Sequence, residues 1–549
     1  MQGSKLVRVR LLGVLTPVLA TAVVASGCGD QAAAPRAVVG DVALAPGAYA
    51  MYTGSRAAGP LRFPADGAAG AEYLVVGQFA TARADLTSTF SLTGSLPVTA
   101  VAPQPPPAPA ALPAAVRFHD AIRRMDEAAA RASLRLAPAP AAPTARAGPP
   151  ALGSVRTFRV CETLDCSSTV SVTASAQAVG AHNAIYLDQA APTVGGFTGF
   201  DLQQLATQFD DVLYPLDTLA FGAPSDIDGN GVVIILLTPR VNALVGRPDC
   251  QSSFVTGFFL ASDLAPATRA SYNNGEVFYA MVPDLNGTVS CPHPATQVRQ
   301  LIAPTFIHEF QHMISFNQHV LVRRGPIESL WLNEAMSHLA EELGGRHYDS
   351  LPVDSATASR FMFGNLYNAY LYLLNPAANA VITTSGTDGL AQRGGQWLFL
   401  RYLVDQYGAA TTRRLEQTAL TGDANVVAAA GNTGFARLLG CWALALYVSD
   451  LPAFTPDSEL AYAHWRFRST YDSLHAHDAT TFVRDFPLEP AGASNGSFAL
   501  SGTLSSGSAS YLDLVLSAGE PSFTVTFTEP GGLALSGRGN PQLAIVRLH

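Results

Sequence analysis

Lysine is all but missing from this chain: Lys5 stands alone, and every other basic side chain is Arg or His. This is a bias of composition and carries no mechanism. Charge of any kind is scarce. Asp, Glu, Lys and Arg make up 14% of the residues, the formal net charge is −9, and no dense basic stripe occurs beyond the extreme N-terminus. That argues against nucleic acid as the main partner. The six cysteines include no Cys-x-x-Cys pair, which disfavours a cysteine-built zinc cluster. Past the first 28 residues no stretch reads as a transmembrane helix, and no internal repeat is found.

What the chain does have is length and apolar content. Its 549 residues exceed what one compact core accommodates. Hydrophobic residues make up 48%, with many Ala, Gly and Pro, the texture of a secreted globular protein with linkers. Residues 1–28 read as a targeting signal. Lys5, Arg8 and Arg10 precede an apolar stretch, Leu11 to Val24, that is short for a membrane span. Ala25-Ser26-Gly27-Cys28 then resembles a bacterial lipobox, with Ala25 where a branched residue is usual. The resemblance implies cleavage before Cys28 and its lipidation. The expected location is therefore outside the cytoplasm, on a membrane of the cell envelope or released from it.

Export makes the remaining cysteines interpretable. Cys161 and Cys166 are close in a region of strand and turn signals, and Cys250 and Cys291 flank a polar stretch. Disulfides Cys161–Cys166 and Cys250–Cys291 are expected, the second worth roughly 3–4 kcal/mol on the chain-entropy model. Cys441 sits in an apolar run and is expected as a buried free thiol.

Composition divides the rest. Residues 29–100 carry short apolar runs between turn residues, such as Tyr73 to Gly77 and Ser88 to Leu92, and read as a small β-domain. Residues 101–153 are a Pro/Ala-rich linker holding one short helix, Arg117 to Leu134. From 154 to 485, strand-like runs such as Val232 to Leu237 come first and helical patterns follow from about 297. A sheet followed by helices is an α+β arrangement. Residues 486–549 return to alternation, as in Tyr511 to Leu516, and read as a small C-terminal β-sandwich.

Chemistry concentrates in the helical stretch Val298 to His319, where Pro304 predicts a kink or a restart. Within it stands His308-Glu309-Phe310-Gln311-His312. Residues i and i+4 share a helix face, so the two imidazoles converge on one point, a spacing that suits zinc. Glu309 lies beside them, placed to act as general base on water whose pKa zinc lowers to about 7. A catalytic zinc takes a third protein ligand. The next helical segment, Leu330 to Leu343, offers Glu334 after a turn containing Gly325-Pro326; His338, Glu328 and His319 are its rivals.

His308-Glu-x-x-His312 followed by Trp331-Leu-Asn-Glu334 resembles the gluzincin metallopeptidases. The wider stretch His308 to Asn317 with Trp331 to His338 is similar to the hyicolysin family of secreted bacterial peptidases. The resemblance covers roughly residues 155–450. It implies a zincin-like catalytic domain, zinc held by His308, His312 and Glu334, and Glu341 as the acid that orients a ligand histidine. The Gly-x-Met-Glu-Asn motif of the aminopeptidases is missing, which favours an endopeptidase acting on proteins or peptides. Also missing is the tyrosine that opens a later helix there and stabilises the oxyanion. The comparable segment begins Gln392-Arg393-Gly394-Gly395, and Arg393, Tyr402, Tyr367 and Tyr370 stand as candidates for that role.

A second ion is expected at Asp226-Ile-Asp228-Gly-Asn230-Gly231, where oxygen side chains alternate as at the start of a calcium loop. Leu237 stands where such a loop has its closing Glu, so Asp210, Asp211 or Asp217 would have to complete the shell. The expected enzyme is a monomer. Two other classes share the motif: a catalytically idle surface binding protein that keeps the fold, and a zinc hydrolase of a non-peptide bond.

Overall fold

The computed structural model describes residues 40–54, 59–65, 69–95, 113–136, 148–351, 355–384, 386 and 388–549. The expected signal segment with Cys28 lies outside the described residues. Five strands come first: β1 (Gly40–Asp41), β2 (Tyr49–Thr53), β3 (Leu61–Phe63), β4 (Ala71–Phe79) and β5 (Thr87–Gly94). One helix, Ala114–Leu134, precedes six further strands: β6 (Val155–Cys161), β7 (Thr169–Val179), β8 (Asn183–Asp188), β9 (Val233–Leu237), β10 (Gly257–Phe259) and β11 (Val277–Ala280). Long helices then dominate, among them Ala295–Ser315, Leu330–Asp349, Ser355–Leu374, Leu390–Tyr407 and Phe435–Val448. Five strands close the chain: β12 (Ala491–Ser494), β13 (Ala499–Ser505), β14 (Ala509–Leu516), β15 (Phe523–Thr528) and β16 (Pro541–Arg547). The fold is mixed α+β.

The six middle strands form one sheet in the order β10-β11-β9-β8-β7-β6. β9 is parallel to both of its neighbours, β8 and β11. Its sequence, Val-Ile-Ile-Leu-Leu, is buried throughout, as expected of a strand covered on both faces. β7 alternates buried and exposed residues because one of its faces meets solvent. β10 is the edge strand and pairs antiparallel with β11. The helix Ala295–Ser315 crosses the sheet with Phe306 edge-on to Phe278, ring centroids 4.7 Å apart. It runs through Pro304 as one helix, so it does not restart there. A π-helical turn, Phe316–Val322, then leads out of it.

The two terminal β-segments, expected as separate units, interleave in the same two sheets. One sheet has the order β1-β3-β15-β5-β13 and the other β12-β14-β4-β16-β2. Side chains from both ends of the chain meet between them: Phe63 stacks on Phe523 at 5.3 Å and Phe90 lies edge-on to Phe527 at 5.9 Å. Sequence reading separated the segments because each shows strand and turn signals of its own, whereas the pairing that joins them spans most of the chain. β4 does not alternate, since both of its faces are covered. Tyr73 and Val75 face the sandwich core, while Leu74 and Val76 join the core of the helical body. There Tyr511 donates to the Ala443 carbonyl at 3.0 Å and Gln542 to that of Ala436 at 3.0 Å. Among the described residues no helix is long and apolar enough to cross a membrane.

Both expected disulfides are present, Cys161–Cys166 and Cys250–Cys291, and Cys441 is a buried free thiol. Disulfides fit a protein that folds in an oxidising compartment.

One expectation follows for the sandwich. A chain ending at residue 485 lacks every partner of β4 and β5. Amide hydrogen exchange over Ala71–Phe79 in that truncated chain is expected to lose its protection; retained slow exchange would mean that the N-terminal strands fold without the C-terminal ones.

Candidate metal centre

The helix Ala295–Ser315 brings His308, Glu309 and His312 to one buried place, with a ligand atom of each within 4.8 Å of the others. These three residues form a group that can hold a metal ion. The helix Leu330–Asp349 packs alongside and supplies the groups that aim the imidazoles. Glu341 Oε1 lies 2.6 Å from His308 Nδ1, and Asn333 Oδ1 lies 3.1 Å from His312 Nδ1. Ser337 Oγ is also 3.1 Å from His312 Nδ1. Ser337 Oγ is equally 3.1 Å from His312 Nε2, so Glu341 and Asn333 are the groups that orient the two rings through Nδ1.

Glu334 faces both rings. Its Oε2 is 3.6 Å from His308 Nε2, and its Oε1 is 3.6 Å from His312 Nε2. These gaps are too long for hydrogen bonds. They are close to the separation of about 3.3 Å between ligand atoms bonded at about 2.0–2.1 Å to a tetrahedral zinc. The residues present therefore fit zinc. Arg393 Nη1 lies 3.2 Å from Glu334 Oε2. Burial alone would raise the Glu334 pKa, but Arg393 and the two imidazoles outweigh it and hold the carboxyl ionised well below the usual range. Arg393 is in turn fixed by Asp388, which accepts from its Nε at 2.9 Å and from Gln396 at 2.7 Å.

Two neighbouring carboxylates on the Glu334 helix point in different directions, as successive residues of a helix must. Glu341 turns to His308, and burial of its carboxyl is outweighed by His338 and His308, which pull its pKa down to about 2. Glu342 turns to the opposite packing and accepts from Trp397 Nε1 at 3.0 Å and Trp465 Nε1 at 2.8 Å. The helix is thus held by hydrogen bonds on both flanks of Glu334.

Glu309 is almost completely buried, and burial raises its pKa against the pull of Arg123 and His308. Its Oε2 accepts from the Phe259 backbone N–H at 2.9 Å and from Arg123 Nη2 at 3.3 Å.

Of the rival ligands, His338 stays beside the centre: its Nδ1 lies 3.2 Å from Glu341 Oε1, and His308, His338 and Glu341 form a second group that can hold a metal ion. Glu328 and His319 face each other at 4.0 Å in a separate buried cluster, where Glu328 accepts from the Gly422 N–H and Asn425. Of the four oxyanion candidates, Arg393 alone contacts the site. Tyr402 donates to the Glu459 carbonyl and Tyr370 accepts from the Arg484 N–H, while Tyr367 stacks on Phe363.

At the expected calcium turn, oxygens of Asp226, Asp228 and Glu276 gather within 4.8 Å of one another. Asn230 is not aimed at that point. Its amide N donates to Asp228 and its Oδ1 accepts from the Val232 N–H, so it closes the turn. Asp210 does not complete the cluster either, since it accepts from the His182 N–H and Asn183 instead. Sequence reading had no means to nominate Glu276, which stands just before β11.

No protein-family model matches the chain. It is similar to neutral metalloprotease ShpI of Staphylococcus hyicus, 29% identical over 142 residues. That match covers 26% of this chain and 30% of the relative, so the chain spans less than a third of that protein's length.

Arg123, His119, Asn333, Ser337 and Asp388 were not picked out from sequence. Asn333 had a visible signal, standing next to Glu334 in the quoted motif. Arg123 had none, because it reaches Glu309 across 186 positions.

Arg393 owes its place to two glycines that follow it. A Cβ on Gly394 would lie 2.1 Å from the Asn368 carbonyl oxygen, and one on Gly395 would lie 2.7 Å from the Tyr372 ring. The helices Ser355–Leu374 and Leu390–Tyr407 therefore touch backbone to backbone at this point. Gly394→Ala is expected to lower the unfolding free energy by about 1–3 kcal/mol, read as a drop in the urea midpoint; a midpoint unmoved by the substitution would show that the contact has slack.

Proposed function

We propose that this chain is an exported zinc endopeptidase with a zincin-like catalytic domain. The observation that carries the reading is the placement of Glu334, one oxygen opposite each Nε2 of His308 and His312, with Glu309 adjacent. The similarity to a neutral metalloprotease supports it. His308, His312 and Glu334 would hold the zinc. When bound there, zinc supplies a Lewis acid that lowers the pKa of water and polarises the peptide carbonyl.

The remaining roles belong to the chain's own groups. Glu309 accepts a proton from the attacking water and returns it to the leaving amine. Its burial raises its pKa, which brings the carboxyl nearer the operating pH and makes it a better proton acceptor and donor. Glu341 and Asn333 keep the two imidazoles turned so that their Nε2 atoms face inward. Arg393 keeps Glu334 ionised and is the one oxyanion candidate in reach of the site. The disulfides support export, and Cys28 is the proposed point of lipid attachment.

Two substitutions test this. Glu309→Gln is expected to cut casein cleavage by about 10²–10⁴-fold with zinc still bound; full activity in this variant overturns the mechanism. Glu334→Ala is expected to abolish stoichiometric zinc, measured by atomic emission after dialysis. Zinc retained at one per chain would transfer the third ligand to another residue, His338 first.

A further inference from the structure

Every group of the metal centre is shut away from solvent: relative exposure is 8% for His308, 2% for His312, and 1% for both Glu309 and Glu334. No peptide can reach such a site as it stands. The helix Ala114–Leu134 lies against its Glu309 side. His119, Arg123 and Asp126 share one face of the helix, at the i, i+4 and i+7 spacing. All three point at the centre or its rim. Arg123 Nη2 donates to Glu309 Oε2 at 3.3 Å, and His119 Nδ1 lies 3.8 Å from Glu309 Oε1. Asp126 accepts from the Ala261 N–H at 2.7 Å and lies 3.2 Å from Arg123 Nη1.

The rest of the helix face is fitted to the edge of the central sheet. Phe118 lies edge-on to Phe258, ring centroids 4.9 Å apart, and Arg123 Nη2 also reaches the Phe259 carbonyl at 3.5 Å. β10 is the edge strand beside the centre, and a sheet edge is where an extended peptide adds by main-chain hydrogen bonds. Both polar groups of Phe259 are already taken, its N–H by Glu309 and its carbonyl by Arg123. A single guanidinium thus engages the carboxylate that has to accept a proton and a carbonyl that an incoming peptide would use. The helix belongs to none of the three sheets. In the sequence it has Pro/Ala-rich stretches on either side. It can therefore leave without unpicking a strand.

We propose that the helix Ala114–Leu134 is a built-in inhibitor of the metal centre, seated where substrate binds, with Arg123 as the clamp on Glu309. This rests on the peptidase reading above. Displacing the helix frees Glu309 and uncovers β10. A permanent helix whose Arg123 merely supports Glu309 makes the opposite forecast, since removing the guanidinium would then lower activity and leave access unchanged.

The test uses the full zinc-loaded chain with two independent readouts: cleavage of a fluorogenic peptide, and the rate at which excess 1,10-phenanthroline removes the zinc. Arg123→Ala is expected to raise both by about tenfold or more, because the accessible fraction of molecules rises. Asp126→Asn, which loosens the same helix without touching Glu309, is expected to raise both by a smaller factor. Arg131→Ala, exposed on the far side and paired with Glu127, is expected to change neither. Hydrogen exchange over Val233–Leu237 checks that the central sheet remains folded. If Arg123→Ala unfolds that sheet, Asp126→Asn decides alone. Cleavage and zinc removal both at or below the parent's rate overturn the inhibitor. Faster zinc removal with no cleavage by any form leaves the helix in place as an explanation and sinks the peptidase reading instead.

Discussion

The Glu334 carboxylate organises its surroundings because it is charged and almost wholly removed from water. An ionised carboxyl at 1% exposure is expensive unless other charges compensate it. Arg393 supplies the compensation on one side and two imidazoles line the other. Each compensating group then needs support of its own. Arg393 requires Asp388, and Asp388 requires Gln396 and Thr383. His308 requires Glu341, and His312 requires Asn333 and Ser337. The chain of dependence reaches as far as Gly394, whose missing side chain lets the Arg393 helix come close enough for the contact. Such a network is satisfied throughout or it is a liability, and here Glu334 Oε2 is balanced by the Arg393 guanidinium at 3.2 Å.

How much of this was legible in sequence follows from the range of each interaction. His308, Glu309 and His312 were readable because a helix turns four-residue spacing into a shared face. Glu334 and Glu341 were readable through resemblance to a motif on the next helix. The disulfide pairs followed from spacing and compartment. Arg123 was out of reach, since nothing local to the segment Arg117 to Leu134 says which wall it will lie against. Asn230 and Glu276 make the same point for the acidic turn: the alternating pattern located the turn, while the residue that faces it came from just before β11, some distance along the chain.

The sandwich was misread for a related reason. Alternation identifies a strand and its buried face but leaves its partner unnamed. β4 illustrates the limit. Its unalternating run of buried residues was the local hint that a second body lay against it, and that body turned out to be the helical region through Tyr511, Gln542 and the Phe435–Val448 helix. The sandwich is therefore fastened to the helical body through the helix Phe435–Val448.

The interleaving of the two chain ends also sets a schedule for biogenesis. β16 lies between β4 and β2, and Gln542 bonds Gln78 across 464 positions. The N-terminal strands β1 to β5 therefore wait for β12 to β16 before either sheet can close. Contacts of such high sequence separation form slowly and leave strand edges bare in the meantime. During that interval the helical region can fold ahead of the sandwich. Closure of both sheets is therefore decided by β12 to β16, which fill places between or beside the N-terminal strands.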